Sequence, residues 1–284
     1  MTNQGTLLLA AALGAGLALS SCDTAKSRET SSQVRAEQVN PRVQANINNL
    51  EAMEKNGMVV TPYTTNRAMN ENQLRVRVPE AGVTLEPGAV NFVLDISNFR
   101  LGVPPAAPEA GMAMSSIGQS ITTIIDNETI SEHGTATFTE NLTAGEHTVL
   151  SFLTRATREG LKHRLAYDLR SVRVGTAAAA GTPFNVKAPA IFYNLPRGTY
   201  VGDEADKILL DFYLVNAVLE EEGTQVRLTV NKTPFTLGRW AAYTLEGLPM
   251  GPNTIQLELI DADGHVIPGP YNSVTKTITL RPGA

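Results

Sequence analysis

The sequence predicts an all-β protein of two tandem immunoglobulin-like β-sandwich domains, which follow a lipoprotein signal and a flexible tether. Two observations predict the sandwiches. Short runs rich in Val, Ile, Thr and Tyr alternate with turn residues about every 8 to 12 residues. The region after residue 73 also contains the same pattern twice, in units of about 100 residues, which is the size of a domain rather than of a solenoid repeat.

The opening stretch predicts export and lipidation. Residues 5–19 are nearly all Gly, Ala and Leu, which is typical of a secretory signal and is shorter than the roughly 20 residues needed to span a bilayer. The stretch ends in Leu19-Ser20-Ser21-Cys22, the pattern at which a bacterial lipoprotein signal is cleaved. We therefore expect a signal peptide over 1–21 and an outer-membrane lipid anchor on Cys22, with the periplasmic and external faces of that membrane both open.

Residues 22–72 predict a flexible tether, because Ser, Asn, Gln and Glu dominate and large apolar residues are few. Within this range, apolar residues at helical spacing predict a short amphipathic helix over residues 43–55. Apolar and polar residues then alternate from Leu74 onward, which indicates the first strand. The first sandwich is predicted over 73–180 and the second over 181–284.

The internal duplication aligns three pairs of segments. They are residues 91–101 with 209–219, 121–127 with 226–232, and 141–153 with 247–259. In this register Thr148 matches Thr254. Two copies of one fold are therefore expected.

Strand alternation predicts which side chains face each core. In the second copy, Ile255 and Leu257 point inward while Gln256 faces water. The equivalent strand of the first copy carries an additional apolar pair, Leu150 and Phe152, on its other face. A second apolar face needs a cover, and we expect the neighbouring domain to supply it.

The chain resembles a family of bacterial cell-envelope lipoproteins, mainly from Bacteroidetes, that are labelled phosphopeptide-binding proteins. The segments that carry the resemblance are GQSITTIIDNE (118–128), LTAGEHTVLSFLTRATREGLK (142–162), LLDFYLVNAVL (209–219) and residues 238–274. The family often has a His-x-His pair after the Gly-Gln that corresponds to Gly118-Gln119. Here Ser120 and Thr122 occupy those positions, so the resemblance implies no metal site at this point.

A basic segment is the best polar candidate for binding. Arg155, Arg158, Lys162 and Arg164 lie within ten residues directly after a predicted strand. Clustered guanidinium groups bind phosphate and carboxylate well, so the segment predicts an anion-binding or partner-binding surface. The alternative is a solvated loop whose charges are balanced by local acids such as Glu159.

Three aromatic residues and one insertion are further candidates. A ligand platform, as carbohydrate binding requires, could only come from Trp240, Tyr243 and Tyr271, although core packing also explains such residues. Residues 101–119 form an insertion that the second copy lacks. With Met112 and other apolar residues it is either an apolar contact loop or a mobile solvent loop.

The remaining features argue against catalysis, metal binding and nucleic-acid binding. The formal net charge of −5 is too mild to predict nucleic-acid binding. The four histidines show no short metal-ligand spacing, although His133 and His147 could approach across strands. A hairpin turn explains Asp261-Ala262-Asp263-Gly264 better than a calcium loop. No catalytic or nucleotide motif occurs, so we expect no enzyme activity and no cofactor.

The sequence therefore predicts a non-catalytic lipoprotein that acts as a protein-binding or accessory subunit at the outer membrane. Its expected partners are the membrane, through the lipid on Cys22, and an envelope protein. A carbohydrate-binding or small-ligand-binding module, including one for phosphopeptides or other anions, is the alternative.

Overall fold

The computed structural model describes residues 52–63, 69–107, 109–176 and 184–284. These residues form β-strands joined by turns and two short 3-10 segments, Arg164–Ala166 and Gly202–Ala205. No helix in the described ranges is long and apolar enough to cross a membrane. The predicted signal peptide and Cys22 lie outside the described residues.

The first sandwich has a three-stranded and a five-stranded sheet. Its strands are β3 (Gln73–Val78), β4 (Thr84–Leu85), β5 (Gly88–Ser97), β6 (Ser120–Ile125), β7 (Thr129–His133), β8 (Thr137–Leu142), β9 (Gly145–Thr154) and β10 (Tyr167–Val174). The three-stranded sheet has the order β3-β5-β8 and the five-stranded sheet the order β4-β10-β9-β6-β7.

The second sandwich repeats this arrangement and adds two strands from elsewhere in the chain. Its sheets have the orders β1-β2-β16-β13-β11 and β12-β18-β17-β14-β15. The added strands are β1 (Met53–Lys55) and β2 (Met58–Tyr63). The others are β11 (Ala190–Leu195), β12 (Gly198–Val201), β13 (Lys207–Val215), β14 (Gln225–Val230), β15 (Thr233–Leu237), β16 (Ala242–Glu246), β17 (Gly251–Ile260) and β18 (Ser273–Arg281). The all-β sandwich class that the sequence predicts is what the chain adopts.

The β1–β2 hairpin corrects the prediction of a tether over 22–72. β2 pairs antiparallel with β16, and Met58 and Val60 are buried in the core of the second sandwich. The predicted helix over 43–55 is wrong at its end, since Met53–Lys55 is a strand, and its residues before Ala52 lie outside the described ranges. Strand pairing against β16 overrides the weak helical pattern, because it buries the alternate residues of β2.

The predicted register of the duplication recurs in the turns of the structure. Asp126 and Asn231 are equivalent, and both adopt a left-handed conformation, with φ values of 54° and 47°. A side-chain oxygen of Asp126 accepts a hydrogen bond from the backbone N–H of Thr148 at 2.7 Å. The side-chain oxygen of Asn231 accepts one from the N–H of Thr254 at 2.9 Å. An equivalent polar residue therefore ties the same hairpin turn to the next strand of the sheet in both copies.

An apolar seam joins the two sandwiches. Leu150 and Phe152 of β9 are fully buried and cluster with Phe192, Tyr213 and Val215 of the second sandwich. The ring of Phe152 stacks on that of Tyr213 with centroids 4.5 Å apart. The neighbouring domain thus covers the second apolar face of β9, as the sequence predicted. Each sandwich has its own core besides this seam.

The faces of the two sandwiches that point away from the seam carry polar residues at the positions that are apolar in the seam. Phe192 pairs with Tyr213 across strands, and the equivalent pair in the first copy is Arg75 with Asp95. Similarly, Glu258 of β17 stands where β9 has Phe152. Charged residues thus stand on the outward faces at the positions where the seam has aromatic residues.

Candidate functional site

The segment between β9 and β10, which contains the predicted basic cluster, lies against the second sandwich. The side chain of Lys162 is 2.5 Å from a carboxylate oxygen of Asp211, which is fully buried in β13. The same carboxylate accepts hydrogen bonds from the side chain of Asn194 at 2.7 Å and from the backbone N–H of Gly160 at 3.3 Å. Asp211 therefore holds one segment of the first sandwich onto the second.

A second ion pair cluster forms around Glu132 of β7. The side chain of Arg158 donates to its carboxylate at 3.0 Å, and Arg197 of the second sandwich also donates to it. Burial lowers the pKa of Arg197, whereas the charge of Glu132 acts in the opposite direction. One carboxylate thus binds guanidinium groups from both sandwiches.

Three of the four basic residues of the predicted anion-binding or partner-binding surface have acidic partners within the fold, and the binding itself stays a prediction. Arg155 lies 3.0 Å from Glu159, and Arg158 and Lys162 pair with acids that bridge the sandwiches. Only Arg164 of the four is exposed. The sequence reasoning missed Asp211 and Glu132, because the acids that pair with the basic segment are distant in the chain. A charged residue inside the apolar run of residues 208–215 was the available signal of a buried ion pair.

The three aromatic residues of the predicted ligand platform pack against other side chains of the fold. Tyr243 is buried, and its hydroxyl donates to the carbonyl of Arg239 at 2.8 Å. Trp240 packs edge-on against Tyr213 with centroids 5.0 Å apart. Tyr271 contacts Phe192 in the seam, with centroids 5.2 Å apart. These contacts favour core and seam packing, the alternative that the sequence left open, over a ligand platform.

The insertion over residues 101–119 lies on the second sandwich in its described part. Met112 is buried with Leu195, Leu209 and Ala242. The carbonyl of Gly111 accepts a hydrogen bond from the backbone N–H of Lys207 at 3.0 Å. Of the two alternatives that the sequence left open, an apolar contact loop is what the structure contains, and the surface that it contacts belongs to the same chain.

Two grooves lie on the first sandwich near β3. The larger, of about 460 Å³, is bordered by Arg75, Arg77 and Arg170 and by Glu80 and Asp95. Arg77 is 3.8 Å from Asp95, and Arg170 pairs with Asp168 at 2.7 Å. The charges of this groove are thus largely balanced. The second groove, of about 360 Å³, has a mainly apolar lining that includes Val78, Val83 and Leu85.

The two histidines that could have approached each other have separate partners. His133 lies 3.0 Å from Glu140, whereas Nδ1 of His147 lies 2.6 Å from Asp126. Asp261, Asp263 and His265 have ligand atoms within 4.8 Å of one another. Asp261 instead accepts hydrogen bonds from the backbone N–H groups of Asp263 and His265, at 3.0 and 2.9 Å, as in a hairpin turn.

The His147 contact predicts a pH-dependent contribution to stability. Burial lowers the pKa of His147, but hydrogen bonds with Asp126 and the carbonyl of Thr143 outweigh burial and raise it above its ordinary value. The charged ring therefore stabilises the fold at low pH, and this contribution disappears as pH rises through the raised pKa. We expect His147→Gln to lower the free energy of unfolding more at about pH 5.5 than at about pH 9.

Urea denaturation at the two pH values measures this difference. His265→Gln is the matched control, because the side chain of His265 is 79% exposed, and it is expected to change stability little at either pH. An equal loss for His147→Gln at both pH values would contradict the assignment of a charged ring.

Comparisons with known proteins concern only the fold. No protein-family model and no curated protein matches the sequence. The chain is similar to the fibronectin(III)-like modules of Clostridium thermocellum CbhA, with 11% identity, a TM-score of 0.26, and coverage of 74% of this chain and 95% of that one. It is also similar to the N-terminal Ig1-2 module of Drosophila receptor protein tyrosine phosphatase DLAR, with 9% identity, a TM-score of 0.22, and 75% and 100% coverage.

A third similar structure is Bacteroides ovatus SGBP-B of a mixed-linkage glucan utilization locus, in complex with a mixed-linkage heptasaccharide. The identity is 12% and the TM-score 0.22, and the match covers 73% of this chain. The chain spans only 47% of that protein. Identities and TM-scores this low carry no argument about function.

Proposed function

We propose that the protein is a non-catalytic lipoprotein of the bacterial cell envelope, anchored in the outer membrane through Cys22 and acting as a protein-binding or accessory subunit. The observation that carries the proposal is the β1–β2 hairpin. It follows the proposed lipid attachment in the chain and is part of the core of the second sandwich. A lipid anchor on Cys22 would therefore be connected through the chain to a folded domain.

The seam supports the role of a rigid binding unit. It combines stacked aromatic rings with the ion pairs of Asp211 and Glu132. Such a contact opposes relative motion of the two sandwiches. A rigid pair presents its loops and strand edges to a partner with little loss of conformational entropy on binding. The resemblance of the sequence to envelope lipoproteins is a further argument for this proposal.

The phosphopeptide-binding and carbohydrate-binding alternatives receive less support. A phosphopeptide site needs accessible clustered arginines, but Arg158 pairs with Glu132 and Lys162 with buried Asp211. A sugar platform needs an exposed aromatic ring, but Tyr243 is buried and Trp240 packs on Tyr213. We therefore propose an envelope protein as the partner.

Membrane fractionation of Cys22→Ser tests the proposal. We expect wild-type protein in the outer-membrane fraction and released only by detergent, and the Cys22→Ser variant in the soluble fraction. Ser27→Ala, outside the cleavage pattern, is the matched control and should fractionate like wild type. Detergent-dependent extraction of Cys22→Ser would contradict the lipid anchor.

Purification of the lipidated protein in mild detergent tests the accessory role. We expect one envelope protein to co-purify in a constant molar ratio, as quantified by mass spectrometry. If the lipidated protein purifies alone and instead binds glycans in an array, the small-ligand alternative replaces the accessory role.

A further inference from the structure

The outer edges of β8 and β16 are equivalent, but they differ in what covers them. In the second sandwich β2 pairs with the outer edge of β16, with Thr61 opposite Thr244 and Val60 opposite Leu245. In the first sandwich β8 pairs with β5, and no other described strand pairs with it. Within the part of the chain that the structure describes, the same edge of the same fold is thus covered in one copy and open in the other.

The opposite edges of these two sheets are capped by side chains. On β3, the N–H of Val76 donates to Asp168 at 3.0 Å, and its carbonyl accepts from Arg170 at 2.8 Å. On β11, the side chain of Asn127 accepts from the N–H of Tyr193 at 2.8 Å and donates to the carbonyl of Ile191 at 3.1 Å. Capping protects an edge strand from pairing with another chain. On β8, the carbonyl of Thr137 accepts a hydrogen bond from the side chain of Thr135 at 2.8 Å, so the open part of this edge begins at Thr139.

The hydrogen-bond pattern shows which backbone groups of β8 lie at the open edge. The N–H of Leu94 donates to the carbonyl of Ala136 at 2.9 Å, and Asn91 stands opposite Thr139. Since bonded and non-bonded pairs alternate in an antiparallel ladder, the backbone groups of Thr139 and Asn141 point away from β5. The side chains of both residues are exposed. β8 also contains no proline and no lysine, which are common edge blockers.

Glu140 gives the open edge a chemical preference. The strand pairings show that Glu140 of β8 is equivalent to Leu245 of β16. In the second sandwich, Leu245 lies opposite Val60 of β2. The carboxylate of Glu140 lies 3.0 Å from the neighbouring His133, whose pKa is lowered by burial, an effect that Glu140 and Glu132 oppose. Glu140 thus places an acidic group where the second copy has Leu245, and it favours a cation at the position that corresponds to Val60.

We infer that the open edge of β8 accepts an extended segment of a partner protein, which adds to the sheet as an antiparallel strand with a lysine or arginine opposite Glu140. Two positions further along, the segment would carry an apolar residue opposite Phe138, as β2 places Pro62 opposite Tyr243. Main-chain hydrogen bonds would provide affinity and the two side chains selectivity. The inference deepens the proposed binding function by assigning its contact surface, and it rests on that function.

A peptide based on β2 tests the inference. The probe is residues 57–63 of this chain with V60K, and the reference peptide keeps Val60. Both are titrated against full-length mature Cys22→Ser protein by fluorescence anisotropy, with amide hydrogen exchange measured by NMR. We expect the V60K peptide to bind about fivefold more tightly than the reference and to protect the N–H groups of Thr139 and Asn141.

Variants of β8 provide the controls. Thr139→Pro removes an edge N–H and should abolish binding, whereas Thr139→Ala keeps that N–H and should bind like wild type. Glu140→Gln should remove the preference for V60K without blocking the edge, which keeps the test informative if the proline variant does not fold. Equal binding of both peptides to wild type, protection at another surface, or no binding would overturn the inference.

Sedimentation of the protein without peptide tests the other possible occupant of the β8 edge, which is a second copy of this chain. If the protein dimerises and thereby protects Thr139, the edge pairs with a second copy of this chain and the inference is overturned. Failure of the peptide experiment would leave the fractionation and co-purification results of the proposed function unaffected, so the two failures are distinguishable.

Discussion

Asp211→Ala is expected to lower the free energy of unfolding by about 3 to 5 kcal/mol, because it leaves the ammonium group of Lys162 without its partner in a largely buried position. The substitution also removes the acceptor for Asn194 and for the backbone of Gly160. Each unsatisfied buried donor adds to the loss. Urea denaturation monitored by tryptophan fluorescence measures the loss in the free energy of unfolding. Trp240 is a suitable probe because it contacts Tyr213 at the seam.

An exposed ion pair between the same two sandwiches provides the matched control. Nζ of Lys276 lies 2.9 Å from the carboxylate of Glu128, whose side chain is 77% exposed. We expect Glu128→Ala to cost at most about 1 kcal/mol, because solvent screens the pair. Lys162→Met combined with Asp211→Leu should recover part of the loss of Asp211→Ala, since no buried charge remains unpaired. A loss for Asp211→Ala no larger than that for Glu128→Ala would contradict the bridging role.

The apolar pattern of the sequence was sufficient to predict the sandwiches and their contact. Leu150 and Phe152 interrupt the alternation of one strand, and an uncovered apolar face in a tandem repeat has one obvious cover. The matched turns at Asp126 and Asn231 could also be predicted, because their chemistry is local. Both features depend on short-range patterns.

The hairpin and the ion pairs could not be predicted in the same way, because they depend on distant partners. β2 pairs with β16, which is distant in the chain, since Thr61 lies opposite Thr244. Nothing within residues 53–63 indicates which edge β2 covers. Similarly, Arg158 and Lys162 have the composition of an anion-binding cluster, and only the folded chain brings Glu132 and Asp211 to them. Residue type alone does not distinguish an internal carboxylate from a ligand's carboxylate.

Phe152→Ala is expected to lower the free energy of unfolding by about 3 to 5 kcal/mol by opening a cavity in the seam. Phe152 is fully buried against Tyr213 but belongs to neither sandwich core. The loss should therefore fall on the contact between the sandwiches, so that one calorimetric transition in wild type becomes two in the variant. Differential scanning calorimetry measures both effects.

Phe92→Ala distinguishes loss of the seam from loss of a core. Phe92 is also fully buried, but it lies inside the core of the first sandwich. A similar loss of stability is expected for Phe92→Ala. The contact between Phe152 and Tyr213 is retained in this variant, so the second sandwich should stay docked on the folded part of the first. If Phe152→Ala unfolds in a single transition like wild type, the remaining contacts between the sandwiches, which include the ion pairs of Asp211 and Glu132, are sufficient to couple them. In that case Phe152→Ala combined with Asp211→Ala should separate the two transitions, because the combination weakens both the apolar and the ionic part of the contact.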